Sequence, residues 1–367
     1  MASDQLPAQA TAKREFLGEL GLNGSIRASR GALSATLAST RDAHCMCVAT
    51  AGAEELAYVP GSEIIAASDL LSLCATLKAQ QPTLTTPSRN RPPPADFPDL
   101  SSIRGQPLLV RTLELAASGG HHLLMTGPPG VGKTLAASNL PGLLPPLPPE
   151  TQQQLWLLQD LTASARLAGP PFRSPYHSSS IASLIGGTAK ALPGEISLAH
   201  GGVLFLDELT ESPRAVLNQL RQPLEEGKIC VSRVEHQHWY PAQFQLIAAM
   251  NPCPCGLADS ESEHCRCTPN AIRRYRQGVS GPLLDRIDLY VTLNKPAHTE
   301  LFSQPSRLDT SNTVRERVDV ARGRQFDPRG CLNRDLSGEQ VVTVCQMSKQ
   351  TRSWFVSALE KLDLSAR

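Results

Sequence analysis

The segment Gly127–Thr134 contains the residues best suited to chemistry. Its sequence, Gly-Pro-Pro-Gly-Val-Gly-Lys-Thr, fits the pattern G-x-x-x-x-G-K-[ST] and follows the apolar run Leu123–Met125. A strand, a glycine-rich loop and then a helix are the setting of a phosphate-binding loop. The residues expected to bind a nucleotide are Gly127, Pro128, Pro129, Gly130, Val131, Gly132, Lys133, Thr134 and Leu135.

Each part of this loop has an expected role toward ATP and Mg²⁺. The glycines let backbone N–H groups turn toward the phosphates, and the following helix adds positive potential at its N-terminus. Lys133 is expected to reach the β- and γ-phosphates, and the Thr134 hydroxyl to ligate Mg²⁺. The alternative, a glycine turn that precedes a helix by chance, is a rare match at average composition.

Two acids follow a second apolar run. Gly202–Leu206 ends in Asp207 and Glu208, which indicates a buried strand that delivers carboxylates to the edge of a sheet. Asp207 is expected to hold Mg²⁺, directly or through water, and Glu208 to polarise the attacking water. The same two acids are also typical of a helix N-terminus. Because the chain also contains a phosphate-binding loop, we favour the catalytic interpretation of Asp207 and Glu208.

Two further residues have both a catalytic and a structural interpretation. Asn251 ends the apolar run Leu246–Met250, so its amide can orient the lytic water, or it can cap a turn before proline. Arg286 suits an arginine finger that a neighbouring subunit supplies. It can equally form an ion pair with Asp285 or Asp288.

Four cysteines form two C-x-C pairs in one loop. Cys253, Cys255, Cys265 and Cys267 are soft ligands that can close a tetrahedral Zn²⁺ site. The spacing is tighter than the usual C-x₂-C, so a loop of inert or redox-active thiols is the alternative.

The runs Lys228–Arg233 and His236–Tyr240 read as a hairpin just before the Asn251 strand. Its basic and aromatic residues suit contact with a polymer threaded through a ring, and a solvated hairpin is nearly as good an interpretation. A histidine in a loop such as His177 more often has a structural role than a ligand-binding one, and we leave it outside the predicted site.

The composition sets few limits on partners. Lys and Arg total 35 against 34 for Asp and Glu, a formal charge of +1 that neither requires nor excludes nucleic acid. No run approaches the roughly 18 apolar residues of a membrane span, so no membrane association is expected. The N-terminus also lacks the apolar stretch of a signal peptide, so a cytoplasmic location is expected, where the ten cysteines would be reduced thiols or metal ligands.

Alternation of strands and helices predicts an α/β fold with a mainly parallel sheet flanked by helices. The N-terminal block is expected to contain helices at 32–39 and 69–77, the second capped by Ser68, and strands at 45–50 and 64–67. The predicted organisation is a first domain at 1–82, a Pro-rich linker at 83–98, a phosphate-loop core at 99–296 and a helical region at 297–367.

The motifs Gly127–Thr134, Gly194–Glu208, Ala248–Gly256 and Ser280–Asp288 closely resemble the YifB/ComM family of Mg-chelatase-like AAA+ ATPases. The resemblance implies a Walker A loop, a Walker B pair at Asp207 and Glu208, a sensor-1 asparagine at Asn251 and an arginine finger at Arg286. It also implies a hexameric ring that acts on DNA, with links to branch migration in natural transformation.

By the same resemblance, 1–82 is similar to part of a Lon-protease-like (S5 domain 2-like) α/β domain without an assignable protease pair. Residues 297–367 resemble a C-terminal helical lid, with Arg367 as the sensor-2 arginine, so the chain is expected to be shortened at both ends. The leading hypothesis is a ring-forming ATPase that acts on DNA. The alternatives are a nucleotide-binding protein with little turnover and a motor subunit of the magnesium-chelatase type.

Overall fold

The computed structural model describes residues 6–56, 59–78, 96–162, 164, 168–187, 191–232, 237–258, 265–296 and 310–362. The chain forms two compact units. One contains Met1–Ala95 together with Pro148–Ala168, and the other contains Asp96–Leu147 and Gly169–Arg367. The segment Pro148–Ala168, which the predicted organisation includes in the core at 99–296, therefore groups with the first unit.

The first unit is built on a parallel sheet in the order β1-β4-β5, with a short β2–β3 hairpin beside it. Its strands are β1 (Arg14–Leu17), β2 (Glu19–Leu20), β3 (Ile26–Arg27), β4 (Cys45–Ala49) and β5 (Ile64–Ala67). Its helices are α1 (Ala32–Arg41), α2 (Ala53–Leu56), α3 (Leu70–Lys78) and α6 (Pro149–Thr162). Helix α6 belongs here because Trp156 and Leu157 pack against the apolar cluster around Leu33.

The α3 cap differs from the prediction. Asp69, not Ser68, caps the helix, since its Oδ1 accepts a hydrogen bond from the Ser72 amide at 2.8 Å. A carboxylate at this position also interacts favourably with the helix dipole. The Ser68 hydroxyl donates to the other oxygen of Asp69.

The second unit confirms the predicted α/β class, with a five-stranded parallel sheet in the order β12-β6-β11-β8-β7. Its strands, with the separate β9–β10 hairpin, are β6 (Leu123–Thr126), β7 (Phe172–Arg173), β8 (Val203–Leu206), β9 (Lys228–Ser232), β10 (Gln237–Pro241), β11 (Gln245–Met250) and β12 (Leu289–Thr292). Its helices are α4 (Pro107–Gly119), α5 (Lys133–Asn139), α7 (Ile181–Ile185), α8 (Glu195–Leu198), α9 (Arg214–Asn218), α10 (Arg221–Glu226), α11 (Pro269–Arg276), α12 (Gly281–Leu284), α13 (Ser311–Arg329), α14 (Gly338–Cys345) and α15 (Lys349–Leu362).

Both faces of this sheet are buried, which explains the continuous apolar runs of its central strands. Side chains alternate between the faces, as the period of a strand requires. Leu123 and Phe205 face the cluster formed with α4, α5 and α13. Leu124 and Leu246 face the cluster formed with α8, α9 and α12. The core thus fixes the strands that carry the predicted site. Within the described residues, no helix has both the length and the apolar character needed to cross a bilayer.

Candidate nucleotide site

The sheet order brings three loops to one edge. Strand β11 lies between β6 and β8, and all three run parallel. Their carboxyl ends therefore meet at the same edge, where open α/β sheets bind ligands. The phosphate-binding loop follows β6, Asp207 follows β8 and Asn251 follows β11.

The phosphate-binding loop has the backbone that its glycines allow. Gly130 and Gly132 adopt positive φ of 76° and 94°, a region that other residues enter at a cost. Gly127 has a different reason: a Cβ there would lie 2.8 Å from the Leu293 carbonyl oxygen. Helix α5 then begins at Lys133, so its first amides point toward the loop.

Lys133 is 8% exposed, and its ammonium group donates hydrogen bonds to three oxygen atoms. Its Nζ donates to the carbonyls of Gly127 and Pro128 at 2.6 and 3.0 Å, and to Asn251 Oδ1 at 3.0 Å. Burial lowers the pKa of this ammonium, while the carboxylates of Asp207 and Glu208 act in the opposite direction. A buried cation with oxygen partners of this kind suits exchange onto an anionic phosphate.

The two acids and Thr134 are connected by hydrogen bonds. The Thr134 hydroxyl donates to Asp207 Oδ2 at 2.9 Å, and the other oxygen of Asp207 accepts from the Glu208 amide at 2.9 Å. Glu208 has φ 49° and ψ 47°, the left-handed region that is uncommon for a residue with a side chain. Such a backbone occurs often at functional sites, where the surrounding structure holds it.

A cleft of about 420 Å³ opens between these loops. It is lined by Pro129, Gly130, Val131, Gly132, Lys133, Thr134, Leu135, Asp207, Glu208 and Asn251. Each of these residues belongs to the set that the sequence predicted, and Gly127 and Pro128 contact Lys133 just behind it. Their roles toward a nucleotide remain predictions.

His177 is a residue that the sequence reasoning left out. Its Nδ1 lies 3.2 Å from Glu208 Oε2, and both side chains are about half exposed. The histidine follows β7, the edge strand that pairs with β8, and that pairing brings it to the acid. A two-residue strand has no sequence pattern that could have revealed this contact.

Arg286 lies elsewhere, and Arg367 is outside the described residues. Arg286 donates from Nε to Glu225 Oε1 at 3.1 Å and from Nη2 to the same oxygen. It lines a separate cleft of about 650 Å³ together with Arg334 and Asp335, not the cleft at the phosphate-binding loop. These hydrogen bonds pair Arg286 with Glu225, and not with Asp285 or Asp288 as the sequence suggested.

The four cysteines converge, as a shared metal site requires. Their sulfur atoms all lie within 4.8 Å of one another. The Sγ of Cys253 lies 3.3 Å from that of Cys255 and 3.8 Å from that of Cys265, and Cys255 and Cys265 are 3.6 Å apart. The hydrogen bond with Cys253 lowers the pKa of the Cys255 thiol to about 6.

The predicted hairpin is present as β9 and β10, which pair antiparallel from Lys228 opposite Pro241 to Ser232 opposite Gln237. Trp239 is 50% exposed, and Lys228 Nζ lies 4.7 Å from the centroid of its ring. This cation–π contact holds the ring at the surface.

Comparisons with known proteins agree with the family resemblance described above. The family model described as magnesium chelatase, subunit ChlI, matches residues 99–301, and the model of its C-terminal part matches residues 308–367. YifB of Salmonella typhimurium is 40% identical over 370 residues, and YifB of Escherichia coli is 39% identical over 376 residues. The competence protein ComM of Haemophilus influenzae is 38% identical over 375 residues. Each match covers 100% of this chain and 73% of the relative.

Proposed function

The chain belongs to the YifB/ComM family of Mg-chelatase-like AAA+ proteins, and we propose that it is a Mg²⁺-dependent ATPase. The observation that supports this most strongly is the assembly of Lys133, Thr134, Asp207, Glu208 and Asn251 around one cleft. A buried cation, a hydroxyl, two carboxylates and an amide are the groups that phosphoryl transfer to water uses.

The donor set fits the proposed metal ions. Thr134 and Asp207 present hard oxygen atoms 2.9 Å apart, which suit Mg²⁺, an ion bound by few protein oxygens together with phosphate oxygens. When bound, Mg²⁺ supplies charge neutralisation at the β- and γ-phosphates. For the four-cysteine cluster, whose soft sulfur ligands do not suit Mg²⁺, we propose a structural Zn²⁺ ion.

Replacing Lys133 with alanine is expected to weaken Mg-ATP binding about 10- to 150-fold. The variant loses a charge-assisted contact to phosphate, which is worth about 1.5–3 kcal/mol. Titration of the chain with a fluorescent ATP analogue measures this effect. Lys78→Ala, a change at the end of α3 in the other unit, is the matched control. Equal affinity in wild type and Lys133→Ala would contradict the nucleotide site.

We propose further that the active form is a ring, in which Arg286 of one subunit acts on the nucleotide of the next. Arg286 lines its own cleft instead of the one beside Lys133, as a residue that acts in trans would. The resemblance to the family supports a hexamer, and the cytoplasm is the proposed location.

DNA is the proposed substrate of this ring. The support is the similarity to a relative named as a competence protein, together with the exposed Trp239 on the β9–β10 hairpin. We favour DNA over metal insertion into a porphyrin because these matches, each of which covers the whole of this chain, are to YifB and ComM.

Replacing Trp239 with alanine is expected to weaken single-stranded DNA binding about 5- to 150-fold, since stacking of a base on an aromatic ring is worth about 1–3 kcal/mol. Fluorescence anisotropy of a labelled oligonucleotide, with Mg-ATP present, measures the affinity. Trp354→Ala removes an exposed tryptophan of α15 and serves as the control. If wild-type protein neither binds DNA nor hydrolyses ATP faster with DNA, the DNA role is wrong.

A further inference from the structure

We infer that the four-cysteine cluster is a metal-dependent brace of the nucleotide cleft. With a divalent cation that prefers thiolate bound, the loop after β11 is held against the phosphate-binding loop, and Asn251 is held beside Lys133. The consequence for ATP rests on the proposed function. The metal site itself does not depend on it.

The sulfur positions fit one tetrahedral ion. Metal–sulfur bonds of about 2.3 Å in a tetrahedron separate the sulfur atoms by about 3.8 Å. Three of the six separations, those among Cys253, Cys255 and Cys265, are 3.3, 3.6 and 3.8 Å, close to that value, and all six lie within 4.8 Å. Four sulfur ligands without an open position are typical of a structural site.

The cluster contacts the phosphate-binding loop through Gly256. This residue closes the turn of the first cysteine pair, where its amide donates to the Cys253 carbonyl at 2.9 Å. Its φ is +80°, and a Cβ there would lie 2.5 Å from Pro129 Cδ. The turn therefore packs directly on Pro129, a residue that lines the 420 Å³ cleft. Only glycine fits this contact without a shift of the loop.

The same cluster is connected to Asn251. Cys253 is fully buried and only two residues beyond Asn251, whose Oδ1 accepts from Lys133 Nζ at 3.0 Å. Between them, the Pro252 carbonyl accepts a hydrogen bond from Arg276 Nε at 3.1 Å. Movement of Cys253 would therefore displace the end of β11 at the point where it contacts Lys133.

The second cysteine pair lies directly before helix α11. Cys267 directly precedes Thr268, the residue that caps α11 by accepting the Ala271 amide at 3.2 Å. Beyond the far end of α11, a Cβ at Gly278 would lie 3.2 Å from the Thr210 carbonyl oxygen, two residues beyond Glu208. A metal ion shared by both pairs thus joins the end of β11 to the start of α11. Such a cross-link restricts the segments it joins.

The first test measures metal content and nucleotide affinity on the same protein. Wild type, purified under reducing conditions, is expected to contain one Zn²⁺ per chain, and Co²⁺ substitution is expected to give the absorption of tetrahedral thiolate coordination. The double variant Cys265→Ser with Cys267→Ser is expected to lose the metal and to bind Mg-ATP at least about tenfold more weakly. Cys345→Ser, at an exposed cysteine outside the cluster, is expected to change neither quantity.

A second pair of variants separates the brace from folding. Gly256→Ala is expected to retain Zn²⁺ but to bind Mg-ATP about tenfold more weakly, because its Cβ pushes on Pro129. Gly330→Ala has a comparable strained φ of +69° but open space around the new Cβ, so its nucleotide affinity is expected to match wild type.

The outcomes are distinct. Zinc-free wild type, or metal-free protein with unchanged nucleotide affinity after removal of Zn²⁺ by a chelator, would overturn the brace. Recovery of affinity when Zn²⁺ is added back would support it. Wild type that contains Zn²⁺ yet binds no Mg-ATP would contradict the proposed function and the brace together, while the metal site would stand.

Discussion

Replacing Glu208 with glutamine is expected to lower the ATP turnover rate about a hundredfold to ten-thousandfold while Mg-ATP binding is retained. A positioned carboxylate that accepts the proton of the attacking water contributes about this factor, and an amide of the same shape cannot accept it. Glu208 lines the cleft beside Lys133 and Thr134, and its left-handed backbone directs it there from the end of β8. Binding is expected to survive because Lys133 and Asp207 are unchanged.

Single-turnover measurement of phosphate release, beside nucleotide titration of the same protein, separates these two effects. Glu211→Gln is the matched control, since Glu211 is an exposed acid three residues away that does not line the cleft. Turnover by Glu208→Gln at the rate of wild type would remove Glu208 from the chemistry. Loss of binding in the variant would instead assign the residue to the nucleotide pocket.

The predicted cleft residues follow from local patterns. An apolar run that ends in a glycine loop, in two acids or in an asparagine identifies a buried strand and its last residue. Parallel strands then deliver those residues to one edge, whatever their order in the sheet. For this reason Lys133, Asp207 and Asn251 could be assigned to one site without knowledge that β11 lies between β6 and β8.

The features that were not predicted depend on contacts distant in sequence. Strand β12 is an edge strand between Asp288 and Leu293 in which only Val291 is buried, so it lacks the continuous apolar run that marks the central strands β6 and β8. His177 reaches Glu208 only because β7 pairs with β8. Helix α6 is separated in the sequence from the rest of the first unit by Asp96–Leu147, and no change of composition indicates that it belongs to that unit. To predict each of these features, one must know which distant residues are in contact, and a single sequence does not give that information.

The partner of Arg286 also could not be predicted from nearby residues. The sequence offered two interpretations of this arginine, an ion pair with Asp285 or Asp288 and a role in trans. In the described residues its carboxylate partner is Glu225 of α10, 61 positions earlier. Because Arg286 is 27% exposed and Glu225 is 44% exposed, the pair is accessible to solvent, and such pairs contribute little to stability. In the proposed ring, we therefore expect exchange of Glu225 for the phosphates of a neighbouring subunit to cost little free energy.

Replacing Arg286 with alanine is expected to lower the ATP turnover rate about a thousandfold to a hundred-thousandfold, the range over which an arginine finger acts. The guanidinium stabilises negative charge that develops on the transferred phosphoryl group, so binding of Mg-ATP by a single chain is expected to change little. Steady-state turnover at a chain concentration that supports assembly measures the effect. Arg111→Ala is the matched control, because Arg111 is an exposed arginine that also pairs with a carboxylate, that of Glu114.

Mixing two inactive variants tests whether the arginine acts between subunits. Arg286→Ala keeps an intact cleft but lacks the finger, whereas Glu208→Gln keeps the finger but lacks the base. In a mixed ring, some intact clefts receive an arginine from a Glu208→Gln neighbour, so turnover is expected to rise well above that of either variant alone. If the mixture is no more active than its parts although the chains co-assemble, Arg286 acts within its own chain, and the proposal of a site shared between subunits is wrong.

The contact between Glu225 and Arg286 gives an independent test of the same role. Glu225→Gln weakens the hydrogen bonds that hold Arg286 within its own chain, so it is expected to raise the ATP turnover rate. This increase should disappear in the double variant with Arg286→Ala.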